Sequence, residues 1–525
     1  MAVQQPSEAA TPPIPPQFQG LVRAIHLNPP RTEKIESRFA PTDLPSGWDI
    51  ARHPRVARLL RSRKFQFMLI LPNQIIFWLV IFVGLLGTAI PGLNFGAAIT
   101  WYVWFCLVFV MMVVVGRAWC VMCPFGGFGE WIQRLTFWGR HPRSLTLGLK
   151  MPEKVGQYGF LLSVVSFLIL TWIEEFFNIA GFGPGSAAAT GIMVLGIVTT
   201  ALLFFLVFER RTFCRYICPL SSLIGTVGAM GSVAGFRTRD REVCLSCTTK
   251  DCMRGGVEGY GCPWYTWPGS ADSNLACGLC SECYKACPSD NIGLFLQKPL
   301  TSVISPVRRR ADVAWAVAIL WGLVLFQQLN VLGAYLWLDN NLNRIMHWPG
   351  YPNPVDYTAI IALIAVLMAG IIWVFSRLLA RKDLVVPVQG TSFVDRMSKF
   401  RAFFIPLMYG IIPIVGADYF ARQLPKFFKH ATRVIPSVGH LVGAGSTSSP
   451  LYTVRILSNT QIIWVQVAVI ALGTLASIWA IWKITGRDMA PLTRSLAGMR
   501  IAGVSLATAC GLVAGIMYVV MNAAS

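Results

Sequence analysis

Cys277-Gly-Leu-Cys280-Ser-Glu-Cys283-Tyr-Lys-Ala-Cys287-Pro288 puts three thiols within seven residues and a fourth four residues further on, directly before a proline. Upstream, Cys244-Leu-Ser-Cys247, Cys252 and Cys262-Pro263 bring the count to eight cysteines in the 44 residues from Cys244 to Cys287. On both sides of this stretch the chain turns into apolar runs of roughly 20 residues, long enough to cross a hydrocarbon core as helices. The thiols are therefore set between membrane segments.

The C-x2-C-x2-C-x3-C-P run has the spacing that holds cubane iron–sulfur clusters. There a tight loop supplies three thiolates and the other half of a two-cluster unit supplies the fourth. The first half is looser, C-x2-C-x4-C-x9-C-P, and ends in the same Cys-Pro. This predicts one [4Fe-4S] cluster on Cys244, Cys247, Cys252 and Cys287, and a second on Cys262, Cys277, Cys280 and Cys283. Structural zinc is the alternative, although it usually takes two C-x2-C knuckles. Disulfides do not suit a cytoplasmic location, where thiols stay reduced.

A 54% hydrophobic content, a mean hydropathy of +0.56 and only 13% charged residues exclude a string of soluble domains. The net charge of +21 does not imply nucleic acid, because the basic residues collect at the ends of apolar segments. Nine membrane spans are expected, at 67–90, 95–116, 157–176, 190–208, 313–336, 357–379, 402–421, 460–482 and 499–522. Arg61, Arg63 and Lys64 then place the N-terminus and the cysteine-rich insert in the cytoplasm. Residues 1–48 are polar and proline-rich and read as a disordered tail. The basic stretch Val56 to Lys64 reads as an interfacial helix or a solvated leader. Loop 422–459 falls outside yet carries Arg422, Lys426, Lys429, Arg433 and Arg455, against the charge rule; a miscounted span in the C-terminal third and a helix lying on the outer surface are the two readings.

The fold class that follows is an α-helical polytopic membrane protein with an inserted α+β, ferredoxin-like two-cluster domain on the cytoplasmic side. Its expected parts are a tail (1–64), a four-span domain (65–236), the insert (237–305) and a C-terminal domain of about five spans (306–525).

The second span ends in Gly116-Arg117-Ala118-Trp119-Cys120-Val121-Met122-Cys123-Pro124. The fourth ends in Arg211-Thr212-Phe213-Cys214-Arg215-Tyr216-Ile217-Cys218-Pro219. The two form an internal duplication with a period of 94 residues, from Cys120 to Cys214. Cys120, Cys123, Cys214 and Cys218 could hold a third cluster or a metal, act as exchanging dithiols, or be structural. Cys106 and Cys510 read as buried apolar residues.

Taken together, these motifs resemble the membrane polyferredoxin family, which includes NapH of periplasmic nitrate reduction, NosR of nitrous oxide reduction and the copper-reducing assembly factor CcoG. The resemblance covers about residues 65–300. It implies bound [4Fe-4S] clusters and electron transfer between the quinone pool or a cytoplasmic donor and a respiratory partner, as a subunit of a redox complex. The alternative it carries is copper reduction and delivery through the cysteine pairs. The first pair departs from the family's C-x3-C-P, having C-x2-C-P.

Other cofactors find little support. None of the six histidines lies in an expected span, which disfavours haem. Gly443 to Pro450 has the composition of a plain loop rather than an FMN attachment site. For quinone chemistry the candidates are Glu174, Glu175, Asp418 and Arg422, while Gln327, Gln328 and Asn330 are expected to bond neighbouring helices.

Overall fold

The computed structural model describes residues 47–139, 145–181, 183, 185–306, 309–329, 332–349, 353–381, 399–490 and 495–523. The tail expected over residues 1–48 lies almost wholly outside them, as do Asn330 and His141.

Nine helices among the described residues are long and apolar enough to cross a membrane: Arg63–Leu86, Phe95–Val115, Gly159–Phe176, Ser186–Val207, Ala311–Leu329, Pro354–Leu378, Phe403–Leu441, Asn459–Met489 and Leu496–Val520. The fifth and seventh are the central ones, 83% and 94% buried, whereas the others bury between about a fifth and two fifths. First and fourth spans meet where Gly84 faces Gly191; a Cβ on Gly84 would lie 3.0 Å from the Gly191 Cα. Without side chains the two backbones approach closely, the usual way helices associate in lipid.

The seventh span is longer than its hydropathy suggests. It breaks between Gly410 and Ile412, and Pro413 opens the next segment, which runs to His430. The Ile414 N–H freed by the break donates to Ser477 Oγ at 3.0 Å, so no backbone donor is stranded there. Arg422 and Lys426, expected in an outer loop, lie on this helix instead. Arg422 Nη2 pairs with Glu175, its Nη1 donates to the Gln327 carbonyl at 2.6 Å, and the Lys426 ammonium sits 5.2 Å from the Trp101 ring centroid. Such pairing lets cations occupy a largely buried helix.

The insert is held at the ends of the spans by a three-stranded antiparallel sheet, β1 (Trp48–Asp49), β2 (Val233–Thr238) and β3 (Ile292–Leu296), in the order β1-β3-β2. β2 enters the cysteine stretch and β3 leaves it, so the sheet closes the base of the loop. β1 comes from the segment before the first span: Trp48 pairs with Leu296 and Asp49 with Phe295. The basic helix that follows, Pro54–Arg61, packs on the insert, with Arg61 Nη2 2.7 Å from Asp290 Oδ1. The sequence reads this helix as interfacial or as a solvated leader; one side of it meets the insert, and none of its residues is buried. There the Arg61 guanidinium also lies 5.3 Å from the Tyr284 ring centroid.

Candidate iron–sulfur sites

The local fold bends the chain around its thiols. In the tight run, Leu279 and Ser281 on either side of Cys280 have left-handed φ values of 53° and 58°, and Lys250 before Cys252 has 48°. Non-glycine residues adopt this conformation rarely, and mostly where the surroundings fix it. A bulge at Gly235 in β2 leaves room for Cys277; a Cβ there would lie 2.9 Å from Cys277 Sγ, and the φ of +91° already favours glycine.

Twelve of the cysteines gather in three groups of four. Cys244, Cys247, Cys252 and Cys287 line one pocket together with Lys250 and Trp267. Burial pushes the Cys252 thiol up to about 12, and Cys244, Cys287 and Cys247 add to the effect. Asn291 donates from its backbone to Cys287 Sγ at 3.3 Å and from Nδ2 to Cys244 Sγ at 3.4 Å. The Cys262, Cys277, Cys280 and Cys283 thiols form the second group: burial raises Cys283 well above a free thiol, and the other three reinforce it. The Cys120, Cys123, Cys214 and Cys218 thiols form the third. Burial lifts Cys218 to about 12, helped by Cys123 and Cys120; Cys123 reaches about 11 for the same first reason.

The third group shows how the duplication works. Cys120 lies on the short α-turn Trp119–Met122, whereas Cys214 lies on a π-turn, Phe213–Ile217. The wider turn absorbs the extra residue of the C-x3-C pair. Both pairs therefore end alike, with an extended cysteine immediately before a proline in the first turn of a helix, Pro124–Arg134 or Pro219–Gly228. Proline at that position loses no intrahelical hydrogen bond. The Gly126 and Phe125 N–H groups work against burial to lower the Cys123 pKa, and the Leu220 N–H does the same for Cys218. Helix N-termini favour thiolate over thiol, as a metal ligand requires.

The two repeats hold each other through their arginines. Arg211, 1% exposed, donates from Nη1 to the Cys120 carbonyl at 2.7 Å and forks onto Glu130 at 2.7 and 3.0 Å. Arg117, 2% exposed, donates from Nη2 to Ser221 Oγ at 2.8 Å and from Nη1 to the Leu275 carbonyl at 2.5 Å. Its guanidinium also lies 4.4 Å from the ring centroid of Trp264, whose own ring abuts Gly278 between Cys277 and Cys280. Burial works against ionisation of Glu130, but Arg134 and Arg211 outweigh it and lower its pKa to about 2. Burial opposes charge on Arg211 as well; Glu130 first, then Cys214 and Cys280, reverse this. Arg211 therefore lies within electrostatic reach of thiols of both the second and the third groups.

Contacts also join the first group to the second, since the Cys262 N–H donates to the Cys252 carbonyl at 2.8 Å. Arg210 Nη1 reaches the carbonyls of Met253 (2.7 Å) and Cys262 (2.8 Å), fixing the insert to the end of the fourth span. The arginines stand in both sequence motifs, three residues before the leading cysteine. Glu130 and Trp264 leave no comparable signal, because their importance lies in partners remote in sequence.

Among the described residues, no group of three or more His, Cys, Asp or Glu is packed tightly enough for a single metal ion. The donor sets fit the cluster: four sulfurs, backbone N–H groups aimed at several of them, and arginine close by.

Comparison with known proteins points the same way. A family described as a 4Fe-4S binding domain matches residues 97–145 and 190–234, which are the two repeats bearing the cysteine pairs. YccM of Escherichia coli (strain K12), named as a candidate electron transport protein, is 28% identical over 217 residues, 36% of this chain and 54% of that protein. The chain thus spans about half the length of the curated relative it matches. No solved structure matches it. The matches and the nine apolar helices support an iron–sulfur protein of electron transport at a membrane.

Proposed function

We propose that the chain is a membrane-anchored electron-transfer protein that holds three [4Fe-4S] clusters. Cys244, Cys247, Cys252 and Cys287 would hold the first, Cys262, Cys277, Cys280 and Cys283 the second, and Cys120, Cys123, Cys214 and Cys218 the third. Bound there, clusters supply one-electron chemistry. The observation that carries the reading is the placement of Arg211, within electrostatic reach of Cys280 of one group and Cys214 of the next. Three adjoining thiol groups, running from the insert to the ends of the second and fourth spans, form a continuous series. Electrons would pass between the quinone pool or a cytoplasmic donor and a respiratory partner, with the N-terminus and insert in the cytoplasm of a bacterium.

Iron and acid-labile sulfide counts on anaerobically purified protein, with EPR during titration by a quinol, test this. About twelve irons and quinol-dependent signals are expected. About eight irons would remove the third cluster, and zinc without sulfide would end the proposal. Tight Cu(I) binding that is lost in the Cys120→Ala, Cys214→Ala double variant, with eight irons retained, would favour copper handling instead.

A further inference from the structure

The C-terminal membrane half contains an acid that the thiol groups do not use. Asp418, in the middle of the central seventh span, is 0% exposed. Its Oδ1 accepts from Gln328 Nε2 at 2.6 Å and from Tyr518 Oη at 2.9 Å, and Tyr518 Oη also lies 2.9 Å from the Asp418 carbonyl. Among the described residues its Oδ2 has no donor, and neither has Gln328 Oε1; both atoms are fully buried. They are the remaining oxygens of the two side chains that already share one hydrogen bond.

Among the described residues no cation pairs with the carboxyl. Arg422, one turn along, is committed to Glu175 and to the Gln327 carbonyl. Lys426 lies over Trp101, and Tyr419 Oη points to the Leu320 carbonyl at 2.9 Å. Tyr102 of the second span faces His430 at the far end of the helix. The eighth span offers the neutral Gln466 and Ser477, bonded to the Ala421 carbonyl and the Ile414 N–H. A bare carboxylate in such surroundings is expensive, and so is each stranded acceptor.

We propose that Asp418 is a proton-binding site: its Oδ2 carries a hydrogen that it donates to Gln328 Oε1, closing a two-point acid–amide pair. One proton satisfies both stranded oxygens and removes an unpaired charge from the buried interior of the helix bundle. No electron moves, and the O–H bond is the only bond formed. A polar route leads outward from the pair. Gln327, the neighbour of Gln328, donates from Nε2 to Glu175 Oε1 at 3.2 Å, and Glu175, partly exposed, pairs with Arg422. Protons would enter and leave by this end, giving the C-terminal spans a part in proton handling that the thiol groups do not share.

The test is infrared spectroscopy of the full chain in lipid, comparing wild type with Asp418→Asn, Gln328→Leu and Glu175→Gln. The expected result is a carboxylic-acid carbonyl band that vanishes in D418N and shifts to higher frequency in Q328L. In E175Q the band should persist, with proton–deuterium exchange slowed several-fold. The side-chain amide introduced by D418N can copy both bonds of the acid, so that variant should melt within a few degrees of wild type. If D418N fails to fold, 13C-carboxyl aspartate in the wild-type chain must shift the band instead. No band, or one unmoved by both D418N and the label, overturns the site; exchange unaltered in E175Q overturns the route.

Discussion

Arg211 donates to the main-chain carbonyl of Cys120, a residue 91 positions earlier in the sequence, at 2.7 Å. This bond joins the second repeat to the first at the point where their thiols converge. Breaking the buried pair between Arg211 and Glu130 leaves a charge without its partner, which is costly by about 3–5 kcal/mol. Arg211→Gln should therefore lower the melting temperature sharply and release iron from the third group before the others. The double variant R211Q/E130Q should recover part of the loss, and iron retention after gel filtration, with melting curves, measures both.

Glu130 also sets a pH dependence. Its folded pKa, lowered to about 2, lies below that of an exposed carboxylate, so its contribution is complete above the unfolded value of about 4.5. It is then lost as pH falls from there towards 2. Glu282, lowered in the same direction with Lys285 as the leading counterweight to burial, should add to the slope. Melting followed from pH 6 down to pH 3 should show a steep fall in wild type and a shallower one in Glu130→Gln. An equally steep fall in both would refute the assignment.

Gly235→Val tests the clearance beside Cys277. The new side chain would meet Cys277 Sγ and would have to adopt a φ of +91°. A loss of about 2–3 kcal/mol is expected, by strain and overpacking together. EPR should show the second group disturbed while the signal of the third remains.

Asp290→Ala is predicted to do almost nothing. Its 2.7 Å contact with Arg61 joins side chains that are 57% and 53% exposed, and exposed pairs contribute about 0–1 kcal/mol. By contrast, Asp49→Ala removes a 4% exposed carboxylate that pairs with Arg239 at 2.8 Å and caps the turn at Ala51. A loss of about 1–3 kcal/mol and loosening of β1 are expected, read as faster amide exchange at Trp48 and Leu296.

The nine apolar runs and the cysteine spacings are local properties, and the sequence alone determined them: hydropathy fixes which segments can lie in hydrocarbon, and thiols a few residues apart must share a loop. The duplicated Arg-x-aromatic-Cys motif was equally legible. What the sequence could not supply was anything resting on partners far apart in the chain. That a π-turn absorbs the odd residue of the second pair, that Arg117 reaches Trp264 and Leu275, and that Trp48–Asp49 completes the insert's sheet are outcomes of packing. The basic loop at 422–459 looked anomalous because charge counting sees cations but not that Arg422 meets Glu175, or that Lys426 and Arg433 lie by the Trp101 and Tyr452 rings. Only the tertiary structure brought Glu175 to Arg422 and left Asp418 facing Gln328, since burial and pairing are set by which helices become neighbours.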